Sequence, residues 1–235
     1  MKDIHDVLRT HWGYATFRPL QESVIDQVLA GHDTLALLPT GGGKSLCYQV
    51  PALAMGKLCL VVSPLIALMK DQTDRLKQQG IPAKAMFSGM AYAELENALE
   101  ACALGKSAFL YVSPERLRSE LFLARADRLP VGLIAVDEAH CISQWGYDFR
   151  PAYMAIQEVR AKFPGVPVLA LTATATPEVA KDIMIKLAFR KPGLLRAPFQ
   201  RPELSFWVSQ CEDKLGRLLR IARKIEGSGI VYLRD

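Results

Sequence analysis

The chain has 235 residues, of which 50% are hydrophobic and 23% are charged. This mixture is typical of a globular protein and excludes a wholly disordered or a collagen-like chain. The net charge is +5, and the excess lies in residues 181–235, where 12 Lys and Arg stand against 6 Asp and Glu. A basic C-terminal segment is compatible with binding to a phosphate backbone and equally with solubility alone.

Several classes of protein are excluded by local features of the sequence. The longest apolar stretch, residues 58–69, is interrupted by Ser63 and Pro64 and is shorter than the roughly 20 residues of a membrane-spanning helix. The N-terminus carries charges of both signs, unlike a secretory signal. Five cysteines without a Cys-x-x-Cys pair indicate reduced thiols rather than disulfides or a zinc cluster. We therefore expect a cytoplasmic protein that does not enter a membrane.

Apolar segments that favour strands alternate along the chain with segments of helical periodicity. The predicted strands are residues 34–38, 58–63, 83–87, 108–113, 131–137 and 166–172. Residues 58–62 and 131–136 are apolar at nearly every position, as strands covered by helices on both faces require. The sequence therefore predicts an α/β fold in which helices flank both faces of a parallel sheet.

The C-terminal part of the chain has a different character. A predicted helix at residues 178–187 is followed by a turn-rich stretch at residues 190–202, which we interpret as a domain edge. A basic helix at residues 214–225 and a short strand at residues 230–233 come next. Because this strand has no later partner, we predict one domain at residues 1–200 and the start of an incomplete second domain at residues 201–235.

A glycine-rich loop follows the first predicted strand and precedes a helix. Its consecutive glycines allow backbone N–H groups to close around phosphate oxygens at the positively polarised start of the helix. Lys44 is placed to contact the β- and γ-phosphates of a nucleotide, and Ser45 to ligate Mg²⁺. The candidate nucleotide-binding residues of this loop are Thr40, Gly41, Gly42, Gly43, Lys44 and Ser45. Leu38 departs from the general pattern, which has glycine there, and a glycine turn with a chance lysine is the alternative.

Two adjacent acids, Asp137 and Glu138, end the strand predicted at residues 131–137. Asp137 is a candidate Mg²⁺ ligand, and Glu138 can orient and deprotonate the water that attacks a γ-phosphate. A solvated acidic turn after a buried strand is the alternative, although a phosphate loop in the same chain makes it less expected. We therefore expect the acidic pair and the glycine-rich loop to form one site.

An aromatic and polar segment precedes the first predicted helix. Tyr14, Arg18 and Gln21 could stack on a purine and hydrogen-bond its edge, because glutamine offers both a donor and an acceptor. The alternative places Tyr14 and Phe17 in the core and leaves Arg18 as a surface charge. These residue types are equally compatible with both interpretations.

Polar residues also follow other predicted strands. Ser-Pro pairs occur at residues 63–64 and 113–114, and threonines are frequent at residues 172–176. In a parallel sheet the carboxyl ends of the strands form the edge where ligands bind. The Ser-Pro pairs can also be helix starts, with serine as the N-cap and proline in the first turn. Both roles are open from the sequence.

A loop rich in aromatic residues, at residues 141–153, follows the acidic pair. Trp145 and Phe149 are suited to stacking on the bases of a single strand, and Arg150 to contacting its phosphates. A hydrophobic plug beneath the loop is the alternative. The position of the loop directly after the acidic pair favours a nucleic-acid contact linked to hydrolysis.

The motifs from Phe17 to Ala175 resemble those of RecQ-type superfamily 2 DNA helicases. In order along the chain they are F-R-P-L-Q, P-T-G-G-G-K-S, S-P-L-I-A-L-M-K-D-Q, S-P-E-R-L, D-E-A-H-C-I-S-Q-W-G-Y-D-F-R-P and A-L-T-A-T-A. The resemblance covers nearly the whole chain, and residues 229–233 are similar to the strand that opens the second motor domain of that family.

The resemblance implies a RecA-like domain of the P-loop NTPase class, the first motor domain of an ATP-dependent DNA helicase. It implies 3′-to-5′ movement on single-stranded or forked DNA, driven by ATP with Mg²⁺, in DNA repair and recombination. Lys44, Glu138 and His140 would be catalytic, with His140 and the aromatic loop coupling DNA contact to hydrolysis. The residues that would contact adenine are Tyr14, Arg18 and Gln21.

Two positions depart from the family pattern. Tyr147 stands where many members carry histidine, and Ala152 where an acidic residue is common.

In the family a second motor domain supplies an arginine finger, which is worth roughly 10³–10⁵ in rate. We therefore expect this chain alone to hydrolyse ATP poorly and not to unwind duplex DNA. An RNA helicase of the same superfamily and a nucleotide-dependent binding module without turnover are the alternatives.

Overall fold

The computed structural model describes residues 1–146, 148–198 and 204–232. Within them, seven parallel strands form one sheet. The strands are β1 (Thr34–Leu37), β2 (Leu58–Val62), β3 (Ala83–Met86), β4 (Phe109–Val112), β5 (Val131–Val136), β6 (Val168–Thr172) and β7 (Gly193–Arg196). Their order across the sheet is β3-β4-β2-β5-β6-β1-β7. The predicted parallel α/β fold is therefore confirmed.

Six of the strands agree, within two residues at each end, with the segments predicted from the sequence. Strand β7 is the exception, because it lies in the stretch that the sequence predicts to be turn-rich. It pairs with β1 in parallel register, and Thr34 lies opposite Gly193. The partner strand, which is distant in sequence, therefore stabilises an extended conformation that local residue preferences do not indicate.

Helices cover both faces of this sheet. They are α1 (Ile4–Trp12), α2 (Gln21–Leu29), α3 (Leu46–Met55), α4 (Ile66–Gln78), α5 (Tyr92–Ala103), α6 (Glu120–Arg125), α7 (Ala155–Ala161) and α8 (Pro177–Lys186). Because side chains alternate along a strand, Leu35 and Leu37 of β1 belong to the buried cluster that also contains residues of α5, α7 and α8, whereas Ala36 belongs to the cluster that contains residues of α2, α3 and α4. None of the helices in the described residues has both the length and the apolar character needed to cross a bilayer.

The chain divides into two compact units, Met1–Phe199 and Gln200–Asp235. The predicted boundary between residues 200 and 201 lies outside the described residues. In the second unit, Asp213 is the N-cap of helix α9 (Lys214–Lys224), and its side chain accepts a hydrogen bond from Gly216 N at 2.8 Å. The strand prediction at residues 230–233 is wrong for residues 230–232, the part that the structure describes. A strand needs a hydrogen-bonding partner, and no residue in the described part of the chain pairs with residues 230–232.

A buried carboxylate joins several elements at the amino end of the sheet. Asp33, which is 1% exposed, accepts hydrogen bonds from Val168 N (3.0 Å), Arg190 N (2.7 Å) and Arg160 Nη2 (2.5 Å). Burial alone would raise the pKa of Asp33, but the hydrogen bonds from the Arg190 amide and the Arg160 guanidinium outweigh it and hold the pKa below 3.8. The ionised Asp33 therefore ties the start of β1 to α7, β6 and the turn before β7.

Replacement of Asp33 by alanine is expected to lower the free energy of unfolding by about 3–5 kcal/mol, because it leaves the Arg160 charge buried without its partner. Urea denaturation at pH 7 measures this change. The matched control is Asp74→Ala, which removes an exposed carboxylate paired with Lys77 at 3.2 Å and should cost about 1 kcal/mol or less. Equal losses in the two variants would contradict the role given to Asp33.

Candidate functional site

A cavity of about 590 Å³ lies at the carboxyl edge of the sheet. We call it the edge cavity. Among the residues that line it are nine of the candidates from the sequence, namely Tyr14, Arg18, Gln21, Gly41, Gly43, Lys44, Ser45, Asp137 and Glu138. The structure therefore brings together the aromatic segment, the glycine-rich loop and the acidic pair, which are spread over residues 14–138 of the chain.

The glycine-rich loop has a backbone that side chains would disrupt. Gly41 and Gly43 have φ values of 79° and 73°, in the left-handed region that favours glycine. A Cβ atom on Gly42 would lie 2.9 Å from Pro39 O, and one on Gly43 would collide with Gln21 Nε2. The loop can therefore close tightly because it has no side chains at these positions.

Leu38, the departure from the general loop pattern, has a structural explanation. Its backbone N–H donates to Thr172 O at 3.1 Å, so the residue continues the pairing between β1 and β6. Its side chain is 2% exposed and packs in the core. At this position the chain needs a core residue, and the tight turn begins only after it.

The aromatic segment contacts the glycine-rich loop directly. Gln21 is buried, and its Nε2 donates to Gly42 O (3.3 Å) and Gly43 O (3.1 Å), while its Oε1 accepts from Arg18 N (2.8 Å). The Arg18 side chain donates from Nη1 to Gly41 O. These bonds hold Gln21 against the glycine-rich loop. Gln21 also lines the edge cavity.

Tyr14 and Phe17, which were predicted either to face a ligand or to lie in the core, have different environments in the structure. Tyr14 is 53% exposed and lines the edge cavity, so it does not belong to the core. Phe17 is partly buried, packs against the core around α1 and lies 5.1 Å from the His5 ring, measured between centroids. The segment therefore anchors through Phe17 and presents Tyr14 to the cavity.

Hard oxygen donors for a divalent cation line one part of the edge cavity. Ser45 is the N-cap of α3, and Asp137 directly follows β5. Burial and the nearby Glu138 charge raise the pKa of Asp137 to about 6, against weaker opposing effects of the Glu138 amide and Lys44. Hydroxyl and carboxylate oxygens are the ligands that Mg²⁺ prefers, and the Lys44 charge does not offset the effects of burial and Glu138 on the Asp137 carboxylate. The residues present therefore fit Mg²⁺.

The second acid connects two strand ends through a histidine. Glu138 has a left-handed backbone (φ 46°), and its Oε2 lies 3.3 Å from His140 Nδ1. The same nitrogen is 2.9 Å from Thr172 Oγ1. Because Thr172 Oγ1 donates to Thr174 O at 3.2 Å, the ring nitrogen is assigned as the donor to Thr172. His140 therefore joins the acid after β5 to the end of β6.

In the aromatic loop, the side chains predicted to contact a nucleic acid differ in their environments. Trp145 is 79% exposed, so it is not a hydrophobic plug. Phe149 is partly buried, with Lys186 Nζ 5.7 Å from its ring centroid. The Arg150 guanidinium donates two hydrogen bonds to Asp148 Oδ2, at 3.1 and 2.9 Å, and one to Pro64 O at 3.3 Å. Tyr147 lies outside the described residues.

The polar residues at the other strand ends divide into two groups. Thr176 caps α8, because its Oγ1 accepts a hydrogen bond from Val179 N at 3.3 Å. Ser63 and Ser113 are buried, and their hydroxyls have no hydrogen-bond partner in the described residues. Ser113 is nevertheless the N-cap residue of a 3₁₀ helix (Pro114–Arg118) with proline in its first turn, as the helix-start alternative predicts, although its side chain makes no capping bond. Ser63 is not an N-cap, because Leu65 precedes α4 in that position.

A set of buried polar residues that the sequence motifs do not indicate follows the glycine-rich loop on α3 and continues into β4. Tyr48 and Tyr111 are 2% and 1% exposed, and their hydroxyl oxygens lie 3.2 Å apart. Gln49 Nε2 donates to Tyr111 Oη (3.4 Å) and to Gln72 Oε1 (3.2 Å). The positions of Tyr48 and Gln49, three and four residues after Ser45 on the same helix, were the available signal.

Comparison with known proteins gives matches along most of the chain. The family model described as DEAD/DEAH box helicase matches residues 18–183. The "ATP-dependent DNA helicase RecQ" of Pasteurella multocida (strain Pm70) is 42% identical over 228 residues, which cover 97% of this chain and 36% of that protein. The "Probable ATP-dependent DNA helicase RecS" of Bacillus subtilis (strain 168) is 40% identical, over 99% of this chain and 47% of that protein. The chain thus spans less than half the length of these relatives.

Solved structures are similar in fold at low sequence identity. The crystal structure of the DUF1998 helicase MrfA has a TM-score of 0.71 and 19% identity, and the match covers 99% of this chain and 38% of that one. The Hef helicase domain of Pyrococcus furiosus has a TM-score of 0.62 and 20% identity, over 83% of this chain and 40% of that one. These similarities show a helicase-type RecA-like fold.

Replacement of Asp137 by asparagine is expected to stabilise the protein in a chelator at pH 8 by about 1–3 kcal/mol, since a pKa unit corresponds to about 1.4 kcal/mol. The pKa of Asp137 is about 6 in the folded state against an ordinary value of 3.8, so the folded state binds the proton more tightly. This contribution to stability is complete below pH 3.8 and is lost as the pH rises through 6.

Urea denaturation between pH 4 and pH 8 measures this effect. The asparagine variant should lose the decline in stability that wild type shows over this range. Asp71→Asn, at an exposed carboxylate paired with Arg75, is the matched control and should keep the decline. If Asp137→Asn keeps the pH dependence of wild type, the decline in stability does not come from the raised pKa of Asp137.

Proposed function

Because the chain belongs to the DEAD/DEAH box helicase family, we propose that its larger unit is the first motor domain of a RecQ-type ATP-dependent DNA helicase. It binds ATP with Mg²⁺ and single-stranded DNA, and it couples hydrolysis to 3′-to-5′ movement when a second motor domain completes the site. The observation that carries the proposal is the edge cavity, which has Lys44, Ser45, Asp137 and Glu138 in its lining.

Each of these residues has a distinct task in the proposed reaction. The Lys44 ammonium and the backbone N–H groups of the glycine-rich loop bind the phosphates and balance their charge. Ser45 and Asp137 would hold Mg²⁺, which supplies positive charge at the phosphoryl group being transferred. Glu138 orients the attacking water and accepts its proton. Tyr14, Arg18 and Gln21 bind adenine, a role supported by their position on the cavity or against its loop.

His140 is proposed to couple the aromatic loop to the orientation of the Glu138 carboxylate. Its ring lies against Glu138 and Thr172, and it directly precedes the aromatic loop in the chain. A shift of that loop on a nucleic acid would move His140 and change the orientation of the Glu138 carboxylate. This gives a physical route by which nucleic-acid contact alters hydrolysis.

The aromatic loop is the proposed contact for single-stranded DNA. The exposed Trp145 ring can stack on a base without rearrangement. Arg150, which now donates to Asp148 and Pro64 O, has further guanidinium N–H groups with which it can contact a phosphate. Phe149 would stack or support the loop from its partly buried position. Forked DNA is the proposed full substrate of the complete helicase.

Residues 201–235 are proposed to be the start of a second RecA-like domain. Helix α9 has no buried residue in the structure, and apolar side chains such as Leu215 and Leu219 are exposed on it. Exposed apolar surface of this kind fits an element whose partners lie in a larger fold. We expect the 235 residues alone to hydrolyse ATP slowly, because this second domain supplies charge to the transition state.

Replacement of Lys44 by alanine is expected to weaken binding of a fluorescent ATP analogue roughly 10- to 100-fold, since hydrogen bonds to charged groups are worth about 1.5–3 kcal/mol. Any steady-state ATP hydrolysis, with or without single-stranded DNA, should also disappear. Lys106→Ala, at an exposed lysine outside the edge cavity, is the matched control and should bind as wild type does. Unchanged binding in Lys44→Ala would contradict the proposal, whereas binding without any turnover would favour a nucleotide-dependent binding module.

Replacement of Trp145 by alanine is expected to weaken binding of oligo(dT) by about 1–3 kcal/mol, the usual value of one base–aromatic stack. Fluorescence anisotropy measures this loss. Tyr92→Ala, which removes another exposed ring at the start of α5, should bind as wild type does. Oligo(U) in the same assay tests the RNA helicase alternative, which would be supported by tighter binding of RNA than of DNA.

A further inference from the structure

The turn that carries Trp145 is held through its backbone. Gly146 N donates to Ser143 O at 3.1 Å, which closes a β-turn, and Trp145 N donates to Ser143 Oγ at 3.3 Å. A Cβ atom on Gly146 would lie 3.0 Å from His140 O, so the turn also packs closely against the chain before it. Trp145 is 79% exposed, and its position therefore depends on these backbone bonds rather than on packing of its ring.

Ser143 connects this turn to helix α8. Ser143 is fully buried, and its Oγ donates to Asp182 Oδ2 at 2.6 Å. An ionised carboxylate only accepts hydrogen bonds, and a backbone N–H only donates them. Both directions are therefore fixed: Trp145 N donates to the Ser143 hydroxyl, and this hydroxyl donates to Asp182. The hydroxyl bridges the turn and the helix.

Lys186 places a positive charge beside the same carboxylate oxygen. It follows Asp182 by four residues on α8, and its Nζ lies 3.0 Å from Asp182 Oδ2. The same Nζ donates to Ile142 O at 3.2 Å and lies 5.7 Å from the centroid of the Phe149 ring, within the range of a cation–π contact. Lys186 thus contacts the aromatic loop at two separate points. We call Ser143, Asp182 and Lys186 the α8 anchor.

The two charges of the α8 anchor are largely withdrawn from water. The Asp182 and Lys186 side chains are 18% and 20% exposed, and charges at such positions are costly unless partners satisfy them. Both charges find partners in the aromatic loop as well as in each other. A loop that moved away would give up these bonds, so the anchor stabilises the present position of the turn.

We propose that Ser143 and Asp182 are positioning residues for the contact between Trp145 and single-stranded DNA, with Lys186 holding the Asp182 carboxylate in place. The anchor fixes the turn before binding, so less conformational freedom is lost when a base stacks on the Trp145 ring. The anchor itself does not need to touch the nucleic acid. This inference rests on the proposed function, in which Trp145 stacks on a base, and it adds the helix that determines where the ring stands.

Binding of oligo(dT) to Ser143→Ala, measured by fluorescence anisotropy, tests the inference. The affinity should fall about two- to tenfold, the equivalent of one lost hydrogen bond. Ser107→Ala is the matched control, because it also deletes a buried serine hydroxyl, one that donates to Phe109 O at 3.0 Å before the amino end of β4. This control should bind oligo(dT) as wild type does.

A double-mutant cycle separates positioning from a general loss of stability. On a Trp145→Ala background, Ser143→Ala should cause no further loss of affinity, because no ring remains to be positioned. A general loss of stability would lower the affinity equally on both backgrounds. Asp182→Asn is the conservative variant: its amide oxygen can still accept from Ser143, so it should retain more affinity than Asp182→Ala.

A fluorine NMR spectrum of the chain labelled with fluorotryptophan gives a second readout that does not depend on DNA. The Trp145 signal is assigned from Trp145→Phe. It should shift in Ser143→Ala, whereas the signals of Trp12 and Trp207 should stay in place. Thermal unfolding checks that each variant is folded. If Ser143→Ala fails to fold, Asp182→Ala, on the surface of α8, takes its place in both measurements.

Three results would overturn the inference: unchanged oligo(dT) affinity in Ser143→Ala, an unchanged Trp145 signal, or an equal loss of affinity on the Trp145→Ala background. Unchanged affinity in Ser143→Ala, while Trp145→Ala binds more weakly than wild type, would overturn this inference alone. Equal affinities of wild type and Trp145→Ala would overturn the proposed DNA contact and the inference with it.

Discussion

Every residue of β1, β2, β4, β5 and β6 is buried, so a charged side chain within these strands would have neither water nor a counter-charge. Charged groups are therefore confined to the ends of the strands. Because all strands run in the same direction, their carboxyl ends meet at one edge, and the glycine-rich loop and Asp137 lie there together. The composition of the sheet thus determines the place of the site.

The edge cavity has both acids and cations in its lining, and Asp137 and Glu138 lie side by side in it. The raised pKa of Asp137 reflects burial and the neighbouring Glu138, and the tyrosines beneath the loop add polarity without adding charge. A bound cation would relieve the repulsion between the two acids. Under the proposed function, Mg²⁺ held by Asp137 would therefore lower the pKa of this carboxyl group.

Much of this arrangement could be predicted from the sequence, because the decisive signals are local. The glycines at 41–43 and the acids at 137–138 each occupy a short segment after an apolar strand. Contacts between distant segments could not be predicted in the same way. The bonds from Gln21 to the loop carbonyls and from Arg150 to Asp148 depend on how the segments pack. Strand β7 was missed for the same reason, since its partner β1 lies about 160 residues earlier.

The anchoring of β7 has a consequence for where the larger unit can be cut. The match to the family model ends at residue 183, before Arg190 and β7. A chain ended there would lose the Arg190 amide bond to Asp33 and the bond from Ala197 N to Leu37 O. One side of β1 would then expose unpaired N–H and C=O groups in an apolar strand, which is a template for edge-to-edge aggregation. Strand β7 therefore acts as a protective cover for the strand that leads into the phosphate loop.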